Sequence, residues 1–174
     1  MALEAQLERT RLLVLDVDGV LTDGRVVYGN GEELQFFDVQ DGQGLAWLRK
    51  AGITVAWITG RGCEATRRRA EELGVAELHM RSGPKDAALR KIQERLGIAP
   101  DETVAMGDDL PDLGLAQYAG VFAAPANARP QVKERADIVT DASGGRGAVR
   151  EICERILVAR NELAGFLEEL NPSS

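Results

Sequence analysis

The segment LLVLDVDGVLTD, residues 12–23, is an apolar run that ends in three carboxylates. Asp16 and Asp18 stand one residue apart, and Gly19 lets the chain turn. Carboxylates this close repel one another, and a hard cation held by oxygen ligands, such as Mg²⁺, compensates them. Read alone, the segment has a blander, less favoured reading as a strand followed by an acidic turn. Three later segments offer matching chemistry: Thr59-Gly60-Arg61, Lys85, and Asp108-Asp109 with Asp112 close behind. Together they match what phosphoryl transfer needs. One carboxylate can act as nucleophile and form an aspartyl-phosphate. A second, two residues on, can protonate the leaving oxygen and then activate water. A divalent cation offsets repulsion between anionic nucleophile and anionic substrate. A hydroxyl, backbone N–H groups and an ammonium can hold the remaining phosphoryl oxygens. In isolation Thr59 reads as a helix cap and Lys85 as a solvated first-turn residue; the set gives both a reason.

The elements that must position these residues alternate along the chain. Apolar runs predict strands at 12–16, 53–58, 102–106 and 120–123, with a weaker one at 137–139. Helical patterns fall at 42–51, 62–73, 84–96 and 109–117, and Gly52, Gly74 and Gly97 each follow a helix as a left-handed cap. Such alternation predicts an α/β fold, a Rossmann-like parallel sheet with helices on both faces. Right-handed crossovers collect the strand-end loops along one edge, where ligands bind. The stretch 25–38 breaks the pattern and reads as a β-hairpin around Gly29-Asn30-Gly31, projecting beside the site. Residues 146–170 read as one long amphipathic helix.

The chain has 174 residues and a net charge of −7, which suits one domain, 1–174, with a full core. Basic residues do not cluster enough to track a nucleic-acid backbone. Arg67-Arg68-Arg69, among Glu64, Glu71 and Glu72, reads as an ion-paired helix face. No membrane-length apolar run or signal-peptide pattern is present. Cys63 and Cys153 match no metal spacing, and His79 pairs with no nucleophile. Free thiols fit a reducing, cytoplasmic location.

DVDGVLTD, ITGR, the isolated Lys85 and GDDLPD resemble the four ordered motifs of the haloacid dehalogenase superfamily of phosphatases, and they span residues 12–112. The resemblance implies Asp16 as nucleophile and Asp18 as general acid/base. It implies Thr59 and Lys85 on the phosphoryl group, with Gly60 beside them. Asp16, the main-chain carbonyl of Asp18 and Asp108 would coordinate Mg²⁺, with Asp109 supporting the metal's ligands from behind. Asp112 is read equally as a helix-face or supporting residue and as a direct ligand.

Superfamily members commonly carry a cap domain between motifs. Here 43 positions separate Asp16 from Thr59 and 26 separate Thr59 from Lys85, which leaves no room for one. An open site admits water and weakens electrostatic contacts, so a neighbouring subunit or a macromolecular substrate must cover it. The exposed apolar hairpin favours a subunit. DVDGVLTDG, the hairpin, FDVQDGQGL, GDDLPD and GGRGAVREIC resemble 3-deoxy-D-manno-octulosonate 8-phosphate phosphatases over roughly residues 10–160. That family implies a capless homotetramer acting on a small anionic sugar phosphate. It also implies a tail, within 142–170, whose Gly144, Gly145, Arg146, Gly147 and Arg150 are candidates for gating or substrate contact. Gly144-Gly145 reads equally as a flexible entry to the last helix. Arg61 resembles the octulosonate group and suits a two-point grip on a sugar-acid carboxylate. Gly83-Pro84 before Lys85 departs from the expected polar run. Hydrolysis of a nonulosonate 9-phosphate, or a non-catalytic subunit role, remain alternatives, and a protein phosphatase is a third.

Overall fold

The computed structural model describes residues 3–29 and 31–170. Helix α1 (Leu3–Glu8) leads into β1 (Leu12–Leu15), whose four residues are all buried. A hairpin of β2 (Val27–Gly29) and β3 (Glu32–Leu34) follows, then α2 (Val39–Lys50), β4 (Thr54–Ile58), α3 (Glu64–Leu73) and β5 (Glu77–His79). The second half runs α4 (Lys85–Leu96), β6 (Thr103–Met106), a 3-10 segment Leu110–Gln117, β7 (Val121–Ala124), α5 (Pro130–Arg135), β8 (Ile138–Val139), α6 (Ala148–Ala159) and α7 (Leu163–Leu170).

Six strands form one parallel sheet in the order β5-β4-β1-β6-β7-β8. β1 lies between β4 and β6, with Leu12 opposite both Thr54 and Thr103. Alternate strand residues feed two cores. Leu13, Leu15, Trp57 and Met106 pack with α2 and α6, while Leu12, Val14, Ile58 and Phe122 pack with α4, α5 and the 3-10 segment. This is the expected α/β sheet with helices on both faces. No inserted cap domain interrupts the alternation among the described residues, and no helix there is long and apolar enough to cross a membrane.

The differences from expectation have local causes. Helix α2 begins three residues early because the Asp38 carboxylate accepts from Gln40 N at 2.6 Å and caps it. The segment after Asp109 is 3-10 rather than α-helical; it contains Pro111 and Gly114, both poor helix formers. The long C-terminal helix is two helices. Asn161 adopts φ 58 between them, a left-handed conformation asparagine tolerates, and Arg160 anchors the break to Thr10 O at 3.1 Å. In the hairpin, Val27 pairs with Leu34 and Gly29 with Glu32; Asn30 of its turn lies outside the described residues. Arg67 bonds Glu64 and Glu71, and Arg69 bonds Glu72, as expected of an ion-paired face.

Candidate active site

Four loops at the carboxyl edge of the sheet converge. Asp16, Asp18, Thr59, Gly60, Arg61, Lys85, Asp108, Asp109 and Asp112 line one cleft of about 320 Å³. Asp16 leaves β1, and its N–H still bonds Met106 O of β6 at 3.0 Å, so the sheet itself holds it. Thr59 leaves β4. Its loop is tied down by Thr59 N to His79 O at 2.9 Å, Arg81 N to Arg61 O at 2.8 Å and Ser82 N to Thr59 O at 3.0 Å. Lys85 opens α4, where the helix dipole disfavours a cation. The carboxylates facing it outweigh that cost: its ammonium donates to Asp16 Oδ1 and Asp112 Oδ1, both at 2.5 Å.

Asp112 is 1% exposed and uses both oxygens, Oδ1 toward Lys85 and Oδ2 toward the N–H groups of Asp108 and Asp109 at 2.9 and 3.1 Å. It holds the loop's shape and aims the ammonium. Lys85 therefore meets Asp112 and not Asp109; the exposed Asp109 carboxylate accepts from Leu110 N at 2.8 Å and starts the 3-10 segment. Asp108 presses on Gly19, where a Cβ would lie 2.1 Å from Asp108 Oδ2. Only glycine lets that carboxylate so close to the turn.

The cluster carries more negative than positive charge. Burial, then the neighbouring Asp112, push Asp16 up from 3.8 to about 8, with Lys85 opposing. Burial, then Asp112 and Asp109, push Asp108 up to about 7. Burial alone would lower Lys85, yet Asp16 and Asp112 raise it. Acids and base both shifted upward mean that one ammonium does not neutralise three carboxylates. Oxygen atoms of Asp16, Asp108 and Asp112 lie within 4.8 Å of one another, a hard, all-oxygen donor set. That set fits Mg²⁺.

Asp18 sits across the cleft. Its Oδ2 accepts from Thr59 Oγ1 at 3.2 Å and its Oδ1 from Gln35 Nε2 at 3.1 Å. Arg61 stands at the rim, its guanidinium bonded to Glu33 of the hairpin at 3.0 Å. The structure does not bring Arg146 into the lining; it is exposed on the segment before α6. Arg150 is turned onto its own chain, 3.9 Å from the Trp47 ring and 2.6 Å from Glu154, rather than toward a cleft. Gly144 and Gly145 pack on the turn after Asp18 of the same chain. Gly145 N donates to Val20 O at 3.0 Å. Asn127 bridges the two segments, donating to Gly19 O at 3.1 Å and accepting from Gly144 N at 2.6 Å.

Sequence reasoning missed three residues that support this site. Gln35 and Asn127 carry no local motif. Asp41 lies within FDVQDGQGL, a stretch that carries the family resemblance, and accepts from Arg150 N at 2.7 Å, which caps α6 from another helix. His79 bonds Glu77 at 3.3 Å, and both cysteines are free.

Comparison with known proteins gives the family of this chain. The family model for haloacid dehalogenase-like hydrolases matches residues 75–152. The 3-deoxy-D-manno-octulosonate 8-phosphate phosphatase KdsC of Escherichia coli is 44% identical over 160 residues, 91% of this chain and 85% of that protein. The crystal structure of the 3-deoxy-D-manno-octulosonate 8-phosphate phosphatase from Moraxella catarrhalis, in complex with magnesium ion, phosphate ion and KDO, superposes with a TM-score of 0.93. It is 39% identical and covers 96% of this chain and 97% of its own. The cobalt-bound deoxy-D-mannose-octulosonate 8-phosphate phosphatase from Haemophilus influenzae superposes with a TM-score of 0.89 at 35% identity, covering 93% and 99%.

Proposed function

The chain belongs to the 3-deoxy-D-manno-octulosonate 8-phosphate phosphatases, within the haloacid dehalogenase-like hydrolases, and from that membership we propose how its residues work. The reaction is Mg²⁺-dependent hydrolysis of 3-deoxy-D-manno-octulosonate 8-phosphate to the free sugar acid and phosphate. The observation that carries this reading is Asp16, buried at the end of the central strand and facing Lys85 within an over-acidic cluster.

In this reading Asp16 attacks phosphorus and forms an aspartyl-phosphate. Asp18 protonates the leaving sugar oxygen, then takes a proton from the water that hydrolyses the intermediate. Thr59, Gly60 and Lys85 hold phosphoryl oxygens. Asp16, the Asp18 carbonyl and Asp108 hold the metal, which when bound draws charge from the phosphoryl group. Asp109 supports that set, and Asp112 orders Lys85 and the loop. Arg61 leaves Glu33 to bind the sugar-acid carboxylate, and Arg146 contacts substrate from a neighbouring subunit.

The protein works as a homotetramer of one capless domain spanning 1–174, in the cytoplasm. The hairpin side supports assembly: Tyr28 and Phe36 are 76% and 65% exposed, and Val39 at the start of α2 is 78% exposed. Exposed apolar residues on this segment suit burial by a neighbouring subunit. The nonulosonate and non-catalytic readings are not favoured, because the named relatives are octulosonate phosphatases and the reactive set is complete.

The test is phosphate release with Mg²⁺ from octulosonate 8-phosphate, nonulosonate 9-phosphates and hexose phosphates, with light scattering on the same sample. Strong preference for the octulosonate ester, loss of turnover in Asp16→Asn and a tetrameric mass are expected. Equal weak rates on all esters would discard the substrate, and a monomeric mass would discard closure by a neighbour.

A further inference from the structure

Gln35 joins the hairpin to Asp18 through a directed chain of hydrogen bonds. The N–H of Cys63, just before α3, donates to Thr66 Oγ1 at 3.2 Å. Thr66 is fully buried, and its hydroxyl donates onward to Gln35 Oε1 at 2.6 Å. Gln35 Nε2 then donates to Asp18 Oδ1 at 3.1 Å. A hydroxyl has a single proton. Thr66 Oγ1 accepts from Cys63 N–H and gives its proton to Gln35 Oε1, and with the amide oxygen so occupied Nε2 is the end presented to Asp18. The Cys63 thiol adds a further donor to Gln35 Oε1 at 3.4 Å.

This arrangement has a consequence for Asp18, resting on its reading as general acid/base. A donor on each oxygen, Gln35 Nε2 on Oδ1 and Thr59 Oγ1 on Oδ2, fixes how the carboxyl group is turned toward the cleft that Thr59 and Asp18 both line. We propose that Gln35 is a positioning residue for Asp18, fixing the rotation of its carboxyl group and tying that orientation to the seating of the hairpin on α3. In the first step an Asp16 oxygen bonds to phosphorus as the P–O bond to the sugar breaks, and the Asp18 carboxyl gives its proton to the leaving oxygen. Asp18 is left as a carboxylate that accepts a proton from water in the second step. Gln35 touches neither phosphate nor sugar in this scheme.

The readout is leaving-group dependence. An alkyl leaving group, as in octulosonate 8-phosphate, departs with a proton; p-nitrophenolate departs without one. kcat/KM reports steps through leaving-group departure, and general acid catalysis contributes about 10² to 10⁴. Gln35→Leu should lower kcat/KM roughly tenfold or more on octulosonate 8-phosphate and less than about twofold on p-nitrophenyl phosphate. Thr66→Val, which frees the amide to turn, should show the same selectivity with a smaller loss. In an Asp18→Asn background the Gln35→Leu effect should vanish. Even loss on both esters, or no loss, would overturn the proposal while leaving Asp18's role intact. Absence of selective loss in Asp18→Asn alone would overturn the acid/base reading and the proposal with it. Should Gln35→Leu fail to fold, Thr66→Val and Gln35→Glu, which places an anion where the donor was, carry the same comparison.

Discussion

Replacing Gly144 by alanine tests how the glycine-rich segment acts on the site. A Cβ there would lie 1.8 Å from Gly19 O, 2.5 Å from Gly19 C and 3.0 Å from Thr22 O, whereas ordinary contact begins at 3.4 Å. The obstruction is backbone, so no rotamer relieves it. The two segments must separate by roughly 1.6 Å, in an interior packed like a crystal. Both bonds of Asn127 and the bond from Gly145 to Val20 span the same seam and resist the shift. Overpacking of this kind costs about 1 to 3 kcal/mol, which lowers the thermal midpoint of a chain this size by roughly 3 to 10 °C. Gly19 follows Asp18 and supports Asp108. A misplacement of about 1 Å at a reacting centre costs on the order of 100-fold, so kcat/KM should fall by about that factor. Steady-state phosphate release and thermal unfolding, with Mg²⁺ present, measure both. Gly165→Ala is the control, since its Cβ meets nothing within 4 Å. Wild-type activity and midpoint in Gly144→Ala would refute the reasoning and place the segment away from its own chain's turn in solution.

Lys85→Met removes the cation shared by Asp16 and Asp112. It should cut kcat/KM by about 10² to 10³ and destabilise the chelator-treated protein by about 3 to 5 kcal/mol in urea unfolding. Asp16 at about 8 and Asp108 at about 7 bind protons more tightly folded than unfolded. The metal-free protein therefore loses stability as pH rises from roughly 4 through 8, and Mg²⁺, competing with those protons, should raise the midpoint more at high pH than at low. Equal Mg²⁺ shifts at about pH 6 and about pH 8.5 in a thermal titration would contradict this. Burial pushes Asp41 up to about 6 against its bond from Arg150 N–H. The fold loses stability as pH rises from about 4 to that value and no further above it, so Asp41→Asn should gain about 2 kcal/mol above neutrality and nothing near pH 4, read as urea midpoints across pH.

Much of this was legible because it is local. A run of four apolar residues buried on both faces demands a central strand, and β1 is one. Asp16 and Asp18 follow it, so their place at the carboxyl edge comes with the strand. Gly74 and Gly97, at φ 65 and 62, close α3 and α4 where the sequence puts them. Other features depended on partners that periodicity does not reveal. The helical pattern across 146–170 continues through Asn161; the left-handed turn there, at φ 58, ends the helix, and Arg160 ties the break to Thr10, 150 positions away. Asp112 reads from the sequence equally as a ligand or a supporting residue, and only the fold shows what each oxygen bonds, Oδ1 to Lys85 and Oδ2 to the N–H groups of Asp108 and Asp109.

The sequence by itself determined the order of the reactive segments, the strands that carry them and the lack of room for a cap between them. These follow from spacing along one chain, which backbone geometry converts directly into position. Only the tertiary structure decided which polar group meets which. Lys85 reaches across 69 positions to Asp16, Thr59 across 41 to Asp18, and Asn127 across 108 to Gly19. Those pairings come from how the two cores pack the loops together, and packing is settled by the whole molecule at once rather than by any window of residues.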